Sequence, residues 1–561
     1  MRHRTKALLV GIVALAAGAT AAAQTNLGSV TIGGNTTSAV TVTFASATTP
    51  ASIAVVTQGN PNLDFTNATG GTCAAGTAYA ANAACTVNVE FAPQFAGARY
   101  GAVVLEDANG VVATVYLQGT GLGPQVNFLP GTQSIVANAA TSGLYEPFGV
   151  AVDGSGNVYI ADTSKNQVLK ETLSAGVYTT SVVAHNDLSV PYGVAVDGGG
   201  NVYVADTYNN RVLKVTLTAG NYIQSVVANG LQFPYGVAVD GSGNVYITDD
   251  SDQVLKETLS AGNYTQSIVA NKANNGLSDP QAVAVDGSGN VYIADNTYGS
   301  TGFTSSRVLK ETLSAGGYTQ SIVANSATNG LSYPLAVAVD GTGNVYIADS
   351  GNGRVLKETL AAASYTQTIL ANSANNGLGS LSGVAVDGSG NVYIADNAKD
   401  RVLKEDFADP PSLSFAATPP GAASIDSPQT VSLWNDGNAP LTFPIPASGD
   451  NPSISGDFTL NSSATSSCPL VAYSAANSGT LAAGASCLLP ISFTPTTTGT
   501  LSGSLALTDN NLNGTNVLQT LPLSGNSLAL ESITIASASA GLQVGWTDQF
   551  TAAATLSDKS T

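Results

Sequence analysis

Short apolar runs recur along residues 125–407 with a nearly fixed period. One unit reads P-x-G-V-A-V-D-G-S-G-N-V-Y-I-A-D, continues with R-V-L-K-E-T-L and ends with Y-T-Q-S-I-V-A-N. Successive copies lie 44, 43, 46, 54 and 47 residues apart, measured between their first aspartates, which are Asp153, Asp197, Asp240, Asp286, Asp340 and Asp387. A period of this length, built from short apolar runs, is typical of a β-propeller or of another repeat architecture.

Each unit predicts four strands. G-V-A-V-D is rich in valine, and N-V-Y-I-A-D alternates after the Gly-rich turn D-G-S-G-N. R-V-L-K-E-T-L carries charge on one face and Val or Leu on the other, and Y-T-Q-S-I-V-A is the fourth run. No unit has a helical period. Because four antiparallel strands make one propeller blade, the repeat predicts six blades.

The phase of the fourth strand predicts how the ring closes. One copy, Thr132–Asn138, comes before the first complete unit, and the last R-V-L-K at residues 401–404 has no fourth strand after it. We therefore predict that the N-terminal copy completes the sixth blade. This arrangement would also remove an open sheet edge.

The segments on either side of the repeats resemble each other. Residues 24–123 and 411–526 both contain an Asp-Phe pair, two cysteines and a strand that ends in Phe followed by a proline two residues on. About a hundred residues of short alternating strands predict an Ig-like β-sandwich. The predicted fold class is therefore all-β, with a six-bladed β-propeller between two Ig-like β-sandwiches.

Three family resemblances follow from these motifs. The repeat resembles the NHL repeat, as in residues 191–197 and 201–212; the flanks resemble the choice-of-anchor D type of bacterial Ig-like domain; and residues 527–561 resemble the start of a group-2 bacterial Ig-like domain. The NHL resemblance implies a fold without one activity, since its members include secreted bacterial proteins, kinase sensor domains, peptide-amidating lyases and RNA-binding proteins. The flanks imply spacers or adhesion scaffolds. The last segment has too few residues to bury a core, so we expect little order there.

Charge and the N-terminus indicate an exported protein. The chain has 18 Lys and Arg against 37 Asp and Glu, a net charge of −19, which disfavours binding to nucleic acid. Residues 1–23 combine a basic start, an apolar run and Ala-Ala-Ala before Gln24, the pattern of a secretory signal peptide. Its cleavage would leave no transmembrane segment. We expect a secreted or cell-surface protein, with the periplasm as an alternative.

The four cysteines form two local pairs. Cys73 and Cys85 precede the repeats, and Cys468 and Cys487 follow them. In a protein exported to an oxidising compartment, each pair predicts a disulfide within its own domain. Zinc ligation is the alternative, but no histidine accompanies either pair.

Two repeated motifs contain candidate metal ligands. The oxygens of Asp153, Ser155 and Asn157 in D-G-S-G-N could imitate a calcium loop, although the late carboxylate of such a loop is missing and a hairpin turn is the alternative. The I-A-D aspartates would form a ring on one face, able to gather a cation or a sugar, or else to cap local backbone and pair with a following arginine. They are Asp162, Asp206, Asp249, Asp295, Asp349 and Asp396. Calcium is the one cofactor that these motifs suggest.

The position after the repeat proline breaks the symmetry of the ring. It holds Phe148, Tyr192 and Tyr235 in three neighbouring blades and Gln281, Leu335 and Ser382 in the others. We predict that the three aromatic residues, here called the aromatic arc, lie near the channel mouth and stack on sugar rings or a peptide. Cover for the blade junctions is the alternative. The longer loop at 296–306, with Tyr298 and Phe303, is a second candidate ligand-binding segment.

The sequence favours binding over catalysis. The mature chain would keep one histidine, His185, so a three-histidine zinc site cannot be built, and no G-x-S-x-G motif is present. We therefore expect no enzymatic activity and a binding or scaffold function toward an unknown protein or carbohydrate partner. The alternatives are a calcium-dependent lactonase-like or lyase-like propeller enzyme, with its site at the channel mouth, and a purely architectural spacer.

Overall fold

The computed structural model of the protein describes residues 24–299, 302–361, 364–537 and 550–557. This part of the chain is almost entirely β, as predicted. The predicted signal peptide lies outside the described residues. Within them, no helix combines the length and the apolar character needed to cross a membrane.

Six four-stranded antiparallel sheets form a propeller. Each blade runs from an inner strand at the channel, through second and third strands, to an outer strand. Blade one comprises Pro147–Val152, Val158–Asp162, Gln167–Ser174 and Val177–Ala184. Blade two comprises Pro191–Val196, Val202–Asp206, Arg211–Thr218 and Asn221–Asn229. Blade three comprises Val237–Val239, Val245–Asp249, Gln253–Ser260 and Asn263–Asn271.

Blades four to six repeat this order. Blade four comprises Pro280–Val285, Val291–Gly299, Gly302–Ser314 and Gly317–Asn325. Blade five comprises Pro334–Val339, Val345–Asp349, Arg354–Ala361 and Ser364–Asn372. Blade six comprises Leu381–Val386, Val392–Asp396, Arg401–Asp406 and Thr132–Asn138. Short 3-10 turns follow four of the second strands, at Thr163–Lys165, Thr207–Asn209, Ser350–Asn352 and Asn397–Lys399. Single α-turns follow three of the outer strands, at Lys272–Asn275, Ser326–Asn329 and Ser373–Asn376.

The ring closes as predicted. The N-terminal strand Thr132–Asn138 pairs antiparallel with Arg401–Asp406, so that Asn138 lies opposite Arg401 and Thr132 opposite Asp406. The sixth blade thus combines one strand from the start of the repeats with three from their end.

The propeller core lies between neighbouring blades. Each second strand is buried at all five positions of V-Y-I-A-D or its variants, because both of its faces meet a blade. At one junction Tyr346 and Ala348 pack with Val392 and Ile394 of the next blade. This packing explains why strands buried on both faces carry continuous apolar runs instead of alternation.

The N-terminal flank is a sandwich of two sheets. A four-stranded and a three-stranded sheet enclose one core, which includes Val40, Phe65, Phe91 and Val103. Its strands are Thr25–Thr31, Thr36–Thr43, Ser52–Val56, Phe65–Ala68, Ala84–Phe91, Gly97–Asp107 and Gly110–Leu122. The predicted disulfide between Cys73 and Cys85 is confirmed. We call this domain the N-sandwich.

The C-terminal flank, the C-sandwich, has two four-stranded sheets and two short two-stranded ladders around a core with Phe415, Phe458 and Phe493. Its strands are Leu413–Thr418, Gln429–Asn435, Leu441–Phe443, Asp450–Asn451, Ser453–Ile454, Phe458–Leu460, Val471–Ala472, Gly479–Leu481, Ser486–Phe493, Gly499–Asp509 and Val517–Ser527, with a 3-10 turn at Asn511–Asn513. The predicted disulfide between Cys468 and Cys487 is confirmed.

One predicted boundary is wrong. The strand Val126–Leu129, assigned to a propeller beginning at residue 125, pairs with Gln429–Asn435 and completes a sheet of the C-sandwich. The reason is burial, because Val126 and Phe128 alternate into the C-sandwich core. The strand that lies between the N-sandwich and the propeller in sequence therefore belongs to the C-sandwich.

The segment at 527–561 is described only in part. Leu530–Ser537 pairs antiparallel with Phe550–Leu556 in a two-stranded ladder. Residues 538–549 and 558–561 lie outside the described residues, so the expectation of little order in this segment stays a prediction.

The N-sandwich covers one face of the propeller. On this covered face lie the D-G-S-G-N turns, and all six contact the N-sandwich through their glycines. The Tyr116 hydroxyl donates to Asp197 at 2.8 Å, and the Gln118 amide donates to the Gly287 carbonyl at 2.9 Å. One end of the central channel is thus closed by a neighbouring domain.

Backbones approach closely at this contact, which makes it sensitive to side-chain volume. A Cβ added to Gly198 would lie 2.5 Å from the Gly101 carbonyl oxygen, so Gly198→Val should push the N-sandwich away from the propeller. We expect a larger radius of gyration in small-angle scattering. The control Gly316→Val, where nothing lies within 4 Å, should leave the radius unchanged. Equal radii for the two variants would contradict a tight covered face.

Candidate functional site

The opposite end of the channel opens on the other face, here called the open face. Inner strands begin and second strands end there, since Pro147 lies opposite Asp162 in the ladder of blade one. The aromatic arc and the I-A-D aspartates therefore lie on the same face. The loops that join each outer strand to the next inner strand surround them.

The structure brings the aromatic arc together at the channel mouth. The ring centroids of Phe148 and Tyr192 are 4.3 Å apart, and those of Tyr192 and Tyr235 are 5.7 Å apart, with both pairs stacked. All three side chains are half-buried. With Gln281, Leu335, Ser382 and the small residues that follow them, they line a cavity of about 70 Å³. The three rings thus lie at the channel mouth, and their role in binding stays a prediction.

The I-A-D aspartates are buried and engaged in hydrogen bonds. Asp206 accepts from Arg211 Nε at 2.7 Å and from the Ser189 backbone N–H at 2.7 Å. The same arginine contact occurs at Asp295, Asp349 and Asp396, and glutamine replaces arginine at Asp162 and Asp249. This arrangement matches the structural alternative, in which each aspartate fixes the loop that follows it. The described residues contain no group of three or more His, Cys, Asp or Glu side chains placed to hold a metal ion.

The D-G-S-G-N segment forms a hairpin turn. Asp153 Oδ1 accepts from the backbone N–H groups of Ser155 and Asn157, and Oδ2 accepts from the Asn157 amide at 2.8 Å. The oxygens that a calcium loop would direct at an ion therefore serve the turn itself. Calcium binding stays an untested prediction.

The longer loop is an extended hairpin of blade four. Tyr298 lies opposite Phe303 in its ladder, and the hairpin rises from the open face. The side chains of both residues lie outside the described part of the structure. His185, in the loop after the outer strand of blade one, is exposed.

Sequence reasoning missed the position before the repeat proline. It reads Glu146, Val190, Phe233, Asp279, Tyr333 and Ser380 around the ring. Four of these residues have φ between 40° and 54°, a region that non-glycine residues rarely adopt. They are Glu146, Val190, Phe233 and Tyr333. The signal was present in the sequence, because this position differs in every blade while the position after it is proline in five of the six.

Phe233 extends the aromatic surface at the mouth. The rings of Tyr208 and Phe233 contact edge to face at 5.6 Å, and both are exposed. Burial, and then the nearby Tyr208, Tyr333 and Glu146, raise the pKa of Tyr192. The aromatic surface is therefore broader than the predicted arc.

Carboxylates accompany the arc at its blade-three end. The exposed Asp250 stands where five blades have a side chain that donates to the carbonyl of the next repeat proline, or of Leu381 in blade six, namely Thr163, Thr207, Asn296, Ser350 and Asn397. In blade three Thr248 makes this type of contact instead, to the Gln281 carbonyl at 3.3 Å. The Asp250 side chain therefore does not make the structural hydrogen bond of the equivalent residues in the other five blades.

Asp279 is the second carboxylate near Tyr235. Its Oδ1 accepts from the Gln281 amide at 2.6 Å, while its Oδ2 is buried without a hydrogen-bond partner among the described residues. Burial, followed by the charges of Asp250, Asp295 and Asp252, raises the pKa of Asp279 to about 6. Burial, and then Asp250 and Asp279, raise the pKa of Tyr235 to about 12. This part of the mouth thus has a negative potential.

A known family model matches two of the repeats. The NHL repeat family model matches residues 188–215 and 331–357, in blades two and five, which supports an NHL-repeat β-propeller. A search of curated protein sequences finds no match.

Solved structures resemble about half of the chain. They include a nidogen/laminin complex (20% identity, 47% of this chain and 98% of that chain, TM-score 0.37) and a streptogramin B lyase (14%, 50% and 98%, 0.36). A gluconolactonase from Xanthomonas campestris is also among them (15%, 51% and 98%, 0.37). The activities in these names belong to those proteins.

Proposed function

We propose that the protein is a secreted or cell-surface binding protein whose propeller recognises a protein or carbohydrate ligand at the open face. The observation that carries this proposal is the break in symmetry at the channel mouth. Near-identical blades present stacked, half-buried aromatic rings in three neighbouring blades, where the other three blades have Gln281, Leu335 and Ser382. Rigid aromatic side chains at the mouth of a closed-ended channel are suited to ligand recognition.

Several features support the location and the role of the flanks. The predicted signal peptide, the two disulfides and the negative charge all fit an exported protein. We assign the two sandwiches to the Ig-like, choice-of-anchor D type, with a spacer role. The N-sandwich has an added role as a cap, because it directs any ligand to the open face.

The hydrogen bonds that the I-A-D aspartates accept favour binding over catalysis. A catalytic or metal-binding carboxylate needs free lone pairs toward a substrate or ion, whereas the I-A-D aspartates use theirs on arginine, glutamine and backbone N–H groups. The exposed His185 belongs to no group of three or more potential metal ligands among the described residues.

A glycan and peptide array with the purified full-length protein tests this proposal, with and without calcium. We expect specific binding that the triple variant Phe148→Ala, Tyr192→Ala, Tyr235→Ala loses by about tenfold or more, since each ring contributes roughly 0.5–1.5 kcal/mol. The control Tyr473→Ala removes a 64% exposed ring from the C-sandwich and should bind like the wild type. Thermal melting checks that each variant is folded. Binding that survives in the triple variant would place the ligand elsewhere.

A further inference from the structure

The open mouth combines aromatic faces with negative charge. Backbone hydrogen bonds place Tyr235, at the end of the aromatic arc, beside Asp250, because the Tyr235 N–H donates to the Thr248 carbonyl at 3.0 Å and the Asp250 N–H donates to the Gln232 carbonyl at 2.7 Å. The carboxylates of Asp250 and Asp279 both act on the Tyr235 hydroxyl. Glu146 stands on the other side, near Tyr192. The faces of aromatic rings attract cations, and carboxylates add to that attraction.

The two carboxylates at the blade-three end lack a countercharge. Their acidic neighbours are paired, because Asp252 contacts Lys272 at 2.7 Å and Asp295 contacts Arg307 at 2.7 Å. No ion pair involves Asp250 or Asp279 among the described residues. A cation brought by a ligand would therefore meet uncompensated charge here.

The cavity at the mouth, about 70 Å³, lies between the first residues of the six inner strands, whereas Asp250 and Asp279 stand outside it, beside Tyr235. The place for a cation is therefore the rim of the mouth, where the end of one extended side chain can reach it. Because the other end of the channel is covered by the N-sandwich, that side chain has to enter through the open face.

We propose that the open mouth binds a lysine or arginine side chain from a basic segment of a partner protein. The cation lies between the face of Tyr235 and the carboxylates of Asp250 and Asp279, and the rings of Tyr192 and Phe148 contact the neighbouring part of the peptide. This inference rests on the proposed recognition function and names its ligand class.

The test uses fluorescein-labelled hexa-L-lysine and its Nε-acetylated counterpart, titrated with full-length protein at about 150 mM salt, where charges farther apart than about 8 Å are largely screened. The critical variant is Asp250→Asn with Asp279→Asn. The control, Asp409→Asn with Asp450→Asn, removes two exposed carboxylates and so changes the net charge equally.

We expect hexa-lysine to bind the wild type and the control within twofold of each other, the critical variant to bind at least tenfold more weakly, and the acetylated probe to bind none of the three. Equal loss in both double variants would mean unspecific attraction to an acidic protein and would overturn the inference, as would the absence of binding. An array ligand that is neutral, depends on the aromatic arc and binds the critical variant normally would keep the recognition face but overturn the cationic ligand.

A pH series adds an independent readout. Lysine side chains stay charged between pH 5 and pH 8. Asp279, which faces Gln281, Asp250, Asp252 and Asp295, loses its charge below a pKa of about 6. Binding of hexa-lysine should therefore weaken from pH 7.5 to pH 5 in the wild type and change less in Asp279→Asn. A parallel decrease in both proteins would argue against contact with Asp279.

Discussion

Replacing Arg354 by alanine is expected to lower the free energy of unfolding by about 3–5 kcal/mol. The Arg354 guanidinium donates to Asp349 at 2.6 Å, and Asp349 is fully buried. A second nitrogen of Arg354 donates to the Asn329 carbonyl at 3.0 Å, so the variant also loses a tie to the loop before blade five. Removal of the arginine leaves a buried carboxylate without its charged partner, which is among the most destabilising single changes in proteins.

The chain offers a matched control for this variant. Lys272 contacts Asp252 at the same kind of distance, 2.7 Å, but its side chain is 70% exposed. Exposed ion pairs contribute about 0–1 kcal/mol, so Lys272→Ala should have little effect. Urea unfolding of both variants measures the difference. Similar midpoints for the two variants would mean that the I-A-D aspartates are not structural and would reopen their role as ligands.

The protein is also expected to be more stable at pH 5 than at pH 8. Burial raises the pKa of Glu358 to about 7 and that of Asp509 to about 6, and it raises the pKa values of Glu257, Glu311 and Glu405. Between the unfolded and folded pKa values, the folded state of such a carboxyl binds more protons than the unfolded state. Its contribution to stability is therefore greatest below the unfolded pKa and decreases as pH rises through the folded pKa.

Glu358 is the best single residue for testing this pH dependence. Its Oε1 accepts from the Asn329 amide at 3.2 Å, whereas Oε2 is buried without a hydrogen-bond partner among the described residues. Blade two has Val215 in this column, so the position tolerates an apolar side chain. Glu358→Val should stabilise the protein at pH 8 by on the order of 2 kcal/mol and have a smaller effect at pH 5.

Thermal melting between pH 4.5 and pH 8.5 measures both effects. Since several groups act together and the net charge of −19 also becomes smaller at low pH, we expect the wild-type midpoint to decrease by about 5 °C or more from pH 5 to pH 8. Asp450→Asn, an exposed change in the C-sandwich, should follow the wild-type curve. A midpoint that rises across this range would contradict the pKa directions.

The architecture was predictable because it depends on local patterns. The repeat period identifies the blades, and the displaced copy at 132–138 identifies the strand that closes them. The disulfides were predictable because each pair is close in sequence and lies in one sandwich. These inferences require no knowledge of contacts between distant segments.

The arrangement of the domains was not predictable, because it depends on contacts between segments that are far apart in the sequence. The alternation in Val126–Leu129 indicates a strand, but nothing local identifies its partner, Gln429–Asn435, about three hundred residues later. The covered face was hidden because a glycine needed for close backbone approach, such as Gly198, looks like any glycine of a hairpin turn. The aromatic arc was found by its broken symmetry, whereas Asp250 and Asp279 lie in columns that sequence reasoning did not compare.

Hydrogen exchange of the full-length protein, with and without hexa-L-lysine, tests the central claim most directly. If the open mouth is the recognition site, slower exchange should be concentrated in the loops at 145–149, 189–193, 232–236 and 278–282, and the covered face and the sandwiches should be unchanged. The critical double variant of Asp250 and Asp279 should lose this protection. Protection confined to the sandwiches or to the outer strands would contradict a recognition site at the open mouth.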